Sequence, residues 1–168
     1  MAKKLLVKAP DKVASELDDI ERTSRENLQL VRSIVNDLHQ QSISEVLFEQ
    51  NRNLLAANVW LGTTGEKQAI QWPTMVQGIF AATLVEALTN VIRHAHAHQV
   101  QVDFTETPTA YQVVIQDDGR GGRLERAGAN GVVGMQARLL EAQGTFEIGH
   151  PSRGTQLNLS LPKEAAQS

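Results

Sequence analysis

The sequence predicts an α+β domain: a two-layer sandwich with helices on one face of a mixed, mostly antiparallel sheet, and a long separate helix ahead of it. Three observations carry this. Residues 11–41 contain no Gly or Pro, and their apolar positions step by three and four, the spacing of a long helix. The runs QVQVDFTE (99–106) and AYQVVIQD (110–117) alternate polar and apolar residues around Thr107, Pro108 and Thr109, which predicts a β-hairpin. A helical run and a second pair of strand-like runs close the chain. The division implied is a leading helical piece over 1–41 and a sandwich over 42–168.

In chain order, AKKLLVKAPDK reads as the end of a helix and a tight connection at Pro10, so the chain is expected to begin inside a helical hairpin. The next helix carries a heptad seam through Val13, Leu17, Ile20, Ser24, Asn27, Val31, Ile34 and Leu38, widened by Leu28 and Val35. Its two polar members can fix register at some cost in stability. Past Ser42 the spacing predicts a helix over 44–57, a short strand from Val59 to Thr63, and a loop ending at Trp72 and Pro73. A long helix from Thr74 to Ala97 precedes the hairpin. The glycine-rich, charged stretch DDGRGGRLERAGANG is too polar to bury and reads as a surface loop. VVGMQARLLEAQG is expected to be a helix closed by Gly144, and TFEIGH and TQLNLSLP a final strand pair around PSRG. The tail KEAAQS is expected to fray.

Composition narrows the function classes. The 168 residues are 41% hydrophobic, enough for a real core, and a net charge of -3 offers nothing to attract nucleic acid or an anionic membrane. There are no cysteines, which excludes disulfides and thiolate chemistry. No apolar run is expected to reach the roughly 20 residues of a membrane span, and a cytoplasmic setting fits the piece.

The chemistry centres on EALTNVIRHA (86–95). At about 100° per residue, Asn90 falls about 40° from Glu86, Arg93 about 20° to the other side and His94 about 80° away, while Leu84, Leu88, Val91, Ile92 and Ala95 lie opposite. Such a stripe is either a solvated face or a ligand-facing one. Asp117 ends a strand and is followed by Gly119, Gly121 and Gly122, which either make a turn or let the backbone bend beside a ligand. Gly131 and Gly134 bracket a helix start, where free N–H groups suit a phosphate or simply cap a loop.

Together EALTNVIRHA, QDDGRGG, GVVGMQARL and RGTQL resemble, in order and spacing, the N, G1, G2 and G3 boxes of bacterial sensor histidine kinases. These belong to the GHKL superfamily of ATP-binding domains, and the likeness is to the subclass of the nitrate sensors and the membrane-fluidity thermosensor. DKVASELDDIERTSRENLQLVRSIV resembles the second helix of that subclass's dimerisation and phosphotransfer hairpin, so the likeness covers almost the whole chain. The resemblance implies a domain that binds ATP with Mg²⁺ and passes the γ-phosphate to a histidine on the first hairpin helix, for relay to a response regulator. That histidine is expected to precede the start of this chain, leaving a piece that binds nucleotide without phosphorylating itself. It also implies a homodimer through the hairpin helices, and a full-length parent compatible with inner-membrane anchoring.

Residue roles follow from the same resemblance. Asn90 would ligate Mg²⁺, and Glu86 would order a metal-bound water or help accept a proton from the attacking imidazole. Arg93 and His94 would lie towards the phosphates. Asp117 would accept a hydrogen bond from the adenine amino group, supported by Thr155. Gly119 and Gly121 would admit the base, while Gly131, Val133 and Gly134 would present the lid backbone to the phosphates. Met135 is open between nucleotide contact and core. His39 in NDLHQQ imitates a phosphoacceptor but sits at the helix exit, as a junction residue, and His94, His96 and His98 would fan apart on a helix end, against a metal site. His150 beside Pro151 reads as a turn residue. The lid departs from the family at Ala129, Asn130, Gly131 and at Ala137, while Arg138 keeps its place. Two other readings stay open: another GHKL ATPase or serine kinase, and a degenerate nucleotide-binding module acting through its helices. Trp60 and Trp72 are expected to serve as fluorescent reporters of nucleotide.

Overall fold

The computed structural model describes residues 41–121 and 130–163. The heptad helix with its hairpin, the junction residue His39, Gly122, Ala129 and the tail from 164 lie outside the described residues. The chain divides into two units, and the described elements belong to the second, Gln40–Ser168.

Ser42 starts the first described helix, α1 (Ile43–Ala56), because its hydroxyl accepts the Glu45 N–H at 3.1 Å and so satisfies one of the helix's first four donors. Strand β1 (Trp60–Thr64) follows, then a four-residue helix α2 (Glu66–Ala69) in the stretch read as loop. Gly65 precedes α2 in the left-handed region, where a Cβ would run into the Phe104 carbonyl oxygen. Helix α3 (Thr74–Asn90) widens into a π turn (Val91–Ala95) and stops at His96, which is left-handed. The helix therefore ends before the expected Ala97. Its apolar pattern continues through the π turn and conceals the change of pitch.

Strands β2 (Gln99–Glu106) and β3 (Ala110–Asp117) match the expected hairpin. Helix α4 (Asn130–Glu141) leads to β4 (Thr145–Gly149) and β5 (Gln156–Pro162). The strand order is β1–β2–β3–β5–β4, parallel between β1 and β2 and antiparallel elsewhere, as expected for a mixed sheet. Alternation fixes the two faces. Val100, Val102 and Phe104 register with Asp117, Ile115 and Val113, and Ile115 and Val113 register in turn with Leu157 and Leu159. All these apolar side chains are buried, whereas Gln101, Gln116 and Gln156 form a row on the other face.

Helix α3 lies in the core through Phe80, Leu84 and Leu88, each fully buried, with Ile43, Val46 and Leu54 of α1 and Met135 and Leu139 of α4 in the same cluster. Each such side chain contributes roughly 1.5–3 kcal/mol of transfer free energy. By length and hydropathy alone, Thr74–His94 (21 residues, mean hydropathy 1.5) is apolar enough to cross a membrane, contrary to the expectation from sequence. Its apolar side packs against the sheet and α1 instead.

Trp72 fills the other end of the core, with ring centroids 5.1–6.0 Å from Phe80, Phe104 and Tyr111, and its Nε1–H donates to Glu106 at 3.2 Å. Glu106 also accepts from Lys163 at 2.7 Å, which holds its carboxyl below the usual range.

Helix α4 ends on a left-handed Gln143, not on Gly144. The Gln143 N–H donates to the Leu140 carbonyl (3.0 Å) and the Gly144 N–H to that of Leu139 (2.7 Å), a Schellman end. Gly144 is needed for another reason: a Cβ there would run into the Ser160 carbonyl oxygen. Gln143→Gly is expected to stabilise the domain by about 1 kcal/mol, the cost of left-handed backbone for a residue with a Cβ. Denaturant unfolding measures it.

Candidate functional site

One end of the sheet gathers the termini of five elements: the exit of α3, the start of β2, the end of β3, the start of β5 and the N-terminus of α4. Asp117 marks this end. It is paired with Val100, on the face that carries the apolar core, and it is only 7% exposed. A carboxylate there is costly unless it is hydrogen-bonded. Its Oδ1 accepts the Gly119 N–H at 2.8 Å. Desolvation raises its pKa, opposed by backbone N–H groups of Gly119 and Thr155 and reinforced by the Asp118 charge. Among the described residues no cation pairs with it.

The glycines near Asp117 differ in what they permit. Gly154 is left-handed, and a Cβ on it would run into the Asp117 carbonyl oxygen. Gly121 is also left-handed and packs its α-carbon against Gly154. The turn over 151–154 therefore rests directly on the loop after β3, with Thr155 buried beside it. Backbone closes the contact, since the Asp117 N–H donates to the Thr155 carbonyl at 3.0 Å.

Glu86 and Asn90 are half-buried on the last two turns of α3, and Arg93 and His94 are exposed in the π turn. Such turns carry one extra residue and occur often at functional sites. Glu86 meets the N-terminus of α4: a Cβ on Gly131 would run into its Oε1. Gly134 meets nothing, so no steric demand requires glycine there. Gly131→Ala is expected to push the flexible Glu86 carboxylate aside and, with the gain in helix propensity, to change stability by less than about 1 kcal/mol. Gly134→Ala is expected to stabilise by up to about 1 kcal/mol through helix propensity. Thermal unfolding should show a gain for Gly134→Ala and little change for Gly131→Ala.

Val133 points outward at 62% exposure, whereas Met135 is buried in the core beside Leu139. That placement answers the question the sequence left open for Met135 in favour of packing. Arg138 is half-buried in the last turn of α4. His96 and His98 are exposed and His150 follows β4. Trp72 stands at the opposite end of the sheet, near Glu106, and Trp60 lies on the polar face, 69% exposed. Neither is positioned as the expected reporter.

Two residues of the site carry no local mark in the sequence. Asp118 accepts the N–H groups of His98 (2.8 Å) and Gln99 (3.0 Å) on one carboxylate oxygen. Desolvation raises its pKa, but those N–H groups and the charges of Arg153 and His98 hold it below the usual range. Gly154 lies within RGTQL, yet the demand for glycine there comes from a strand nearly forty residues away.

The donors suit a hard cation. Mg²⁺ prefers oxygen ligands and keeps several waters. Asn90 and Glu86 offer an amide and a carboxylate oxygen, and among the described residues no group of three or more His, Cys, Asp or Glu gathers to hold a metal alone.

No protein-family model matches the chain. It is 28% identical over 162 residues to the sensor histidine kinase YvfT of Bacillus subtilis, covering 96% of this chain and 43% of that protein. It is 29% identical over 171 residues to the sensor histidine kinase DesK of the same organism, covering 98% and 45%. With the sensor histidine kinase YxjM, also from B. subtilis, identity is 34% over 157 residues, or 87% and 37%. The chain thus spans less than half the length of these curated relatives. Among solved structures, it matches the histidine kinase AdeS of Acinetobacter baumannii with a TM-score of 0.57 at 17% identity, over 95% of this chain and 90% of that one. The histidine kinase domain of a blue-light-activated kinase from Erythrobacter litoralis matches with a TM-score of 0.55 at 18% identity, over 73% and 63%.

Proposed function

We propose, from the premise that this chain is a relative of the sensor histidine kinases and has the fold of their catalytic domains, that it is the ATP-binding and catalytic part of such a kinase. The observation that carries this reading is Asp117: a carboxylate buried on the core side of the sheet end, with no cation beside it among the described residues and one oxygen already engaged by backbone. A buried carboxylate held by backbone N–H groups without a countercharge is suited to a ligand donor. Its other oxygen offers an acceptor to an adenine amino group and repels the carbonyl of guanine.

At the other end of the site, Asn90 would hold Mg²⁺ through its amide oxygen. The ion, when bound, supplies charge neutralisation between the phosphates. Arg93 and His94 are exposed on the π turn, where the guanidinium can clamp phosphate oxygens. Glu86, one turn before Asn90, would orient water or receive the proton of an attacking imidazole. Catalysis would rest on positioning and charge, since phosphoryl transfer asks little covalent chemistry of the protein. The acceptor would be a histidine on the first helix of a dimerisation hairpin to which residues 11–41 would contribute the second, and a response regulator would take the phosphate onward. On this reading residues 1–41 are the hairpin piece and 42–168 the catalytic domain.

The test supplies a hairpin helix bearing the acceptor histidine in trans, together with Mg²⁺ and labelled ATP. Label on that histidine supports the kinase. Hydrolysis without transfer favours a plain ATPase, and the absence of saturable ATP binding favours a module that has lost its ligand.

A further inference from the structure

Asp118 ties together three segments distant in sequence. Its Oδ1 accepts from the His98 and Gln99 N–H groups, its own N–H donates to the Gln99 carbonyl at 3.2 Å, and its carbonyl accepts from Arg153 Nε at 3.0 Å. His98 and Gln99 lie just past the left-handed His96, which closes the π turn that carries Arg93 and His94. Arg153 immediately precedes Gly154, which rests on Asp117. Two N–H groups on one ionised oxygen form charge-assisted hydrogen bonds, stronger and shorter than neutral ones. Without this carboxylate nothing else among the described residues joins 98–99 by a side chain to the loop after β3.

We propose that Asp118 is a positioning residue for the nucleotide site: it sets the spacing between the helix end that carries Asn90 and the strand end that carries Asp117. This rests on the nucleotide reading of the site. A ligand held only at its base needs no such spacing, whereas one held at both base and metal does, so Asp118 acts on the part of the affinity that Mg²⁺ adds.

The experiment is calorimetric titration of ATP in Mg²⁺ and in EDTA, with the parent chain, Asp118→Ala and Asp118→Asn. The ratio of the two dissociation constants reads the gain from metal. Asp118→Ala, which removes two charge-assisted hydrogen bonds, should cut that ratio by roughly tenfold or more, while metal-free affinity stays within about twofold. Asp118→Asn, which keeps an acceptor oxygen, should recover part of the loss, and it serves if the alanine variant does not fold. A general structural weakening would lower both affinities together and leave the ratio unchanged. That outcome, or no change in either, overturns the proposal while the nucleotide reading stands. A parent chain without saturable ATP binding overturns both.

Discussion

Asp117→Asn is expected to raise the unfolding temperature at neutral pH while lowering ATP affinity by about 10–100-fold, the worth of a hydrogen bond to a charged group. Burial pushes the Asp117 pKa above that of the unfolded chain, so the folded state binds the proton more tightly. Folding is therefore favoured below the unfolded value, and stability falls as pH rises through the folded one, leaving a penalty at pH 7. An amide removes that penalty and still accepts the Gly119 N–H. Its NH₂ would then face an adenine amino group, donor against donor, and the ligand is held less tightly. Thermal unfolding at pH 7 and at pH 4 checks the first half, since the advantage of the variant should shrink at the lower pH. Titration with ATP checks the second.

Gly154→Ala should be the more damaging change, costing about 2–5 kcal/mol: about 1–2 for a left-handed residue with a Cβ and about 1–3 for overpacking. The clash is with backbone, the Asp117 carbonyl, so no flexible side chain can give way. Relief requires the turn at 151–154 to lift from the loop after β3. That movement would break the Arg153 contact to the Asp118 carbonyl and loosen Thr155 beside Asp117. The expected result is a lower denaturant midpoint together with loss of ATP binding. Unchanged binding in a destabilised variant would show that the turn does not shape the site.

Much of this architecture was legible because periodicity is local. The strands at 99–106 and 110–117 followed from alternation, and α1 from its spaced apolar residues, though not its Ser42 cap. Helix α2 was not legible: four residues cannot display a period. The π turn was hidden because Val91, Ile92, Ala95 and Ala97 continue an apolar pattern that suits either pitch. Gln143 took the left-handed position that glycine was expected to hold, since the Schellman bonds and the space beside Ser160 decide which residue turns and which must be small. At the site, Glu86 and Asn90 stood out as a polar stripe on an apolar helix, and Asp117 as an acid ending a strand before glycines. Asp118 and Gly154 did not, because their partners lie 19 to 20 and nearly forty residues away, and only tertiary structure brings them together.

Whether Asn90 and Asp117 serve two ends of one nucleotide is tested most directly by titrating ATP and GTP, each with Mg²⁺ and with EDTA, into the parent chain, Asn90→Ala and Asp117→Asn. The predicted result is a separation: Asn90→Ala loses the dependence on Mg²⁺ but keeps the preference for ATP, and Asp117→Asn loses that preference but keeps the metal dependence. Parent-like behaviour of both variants, or a parent chain that binds neither nucleotide, would contradict it.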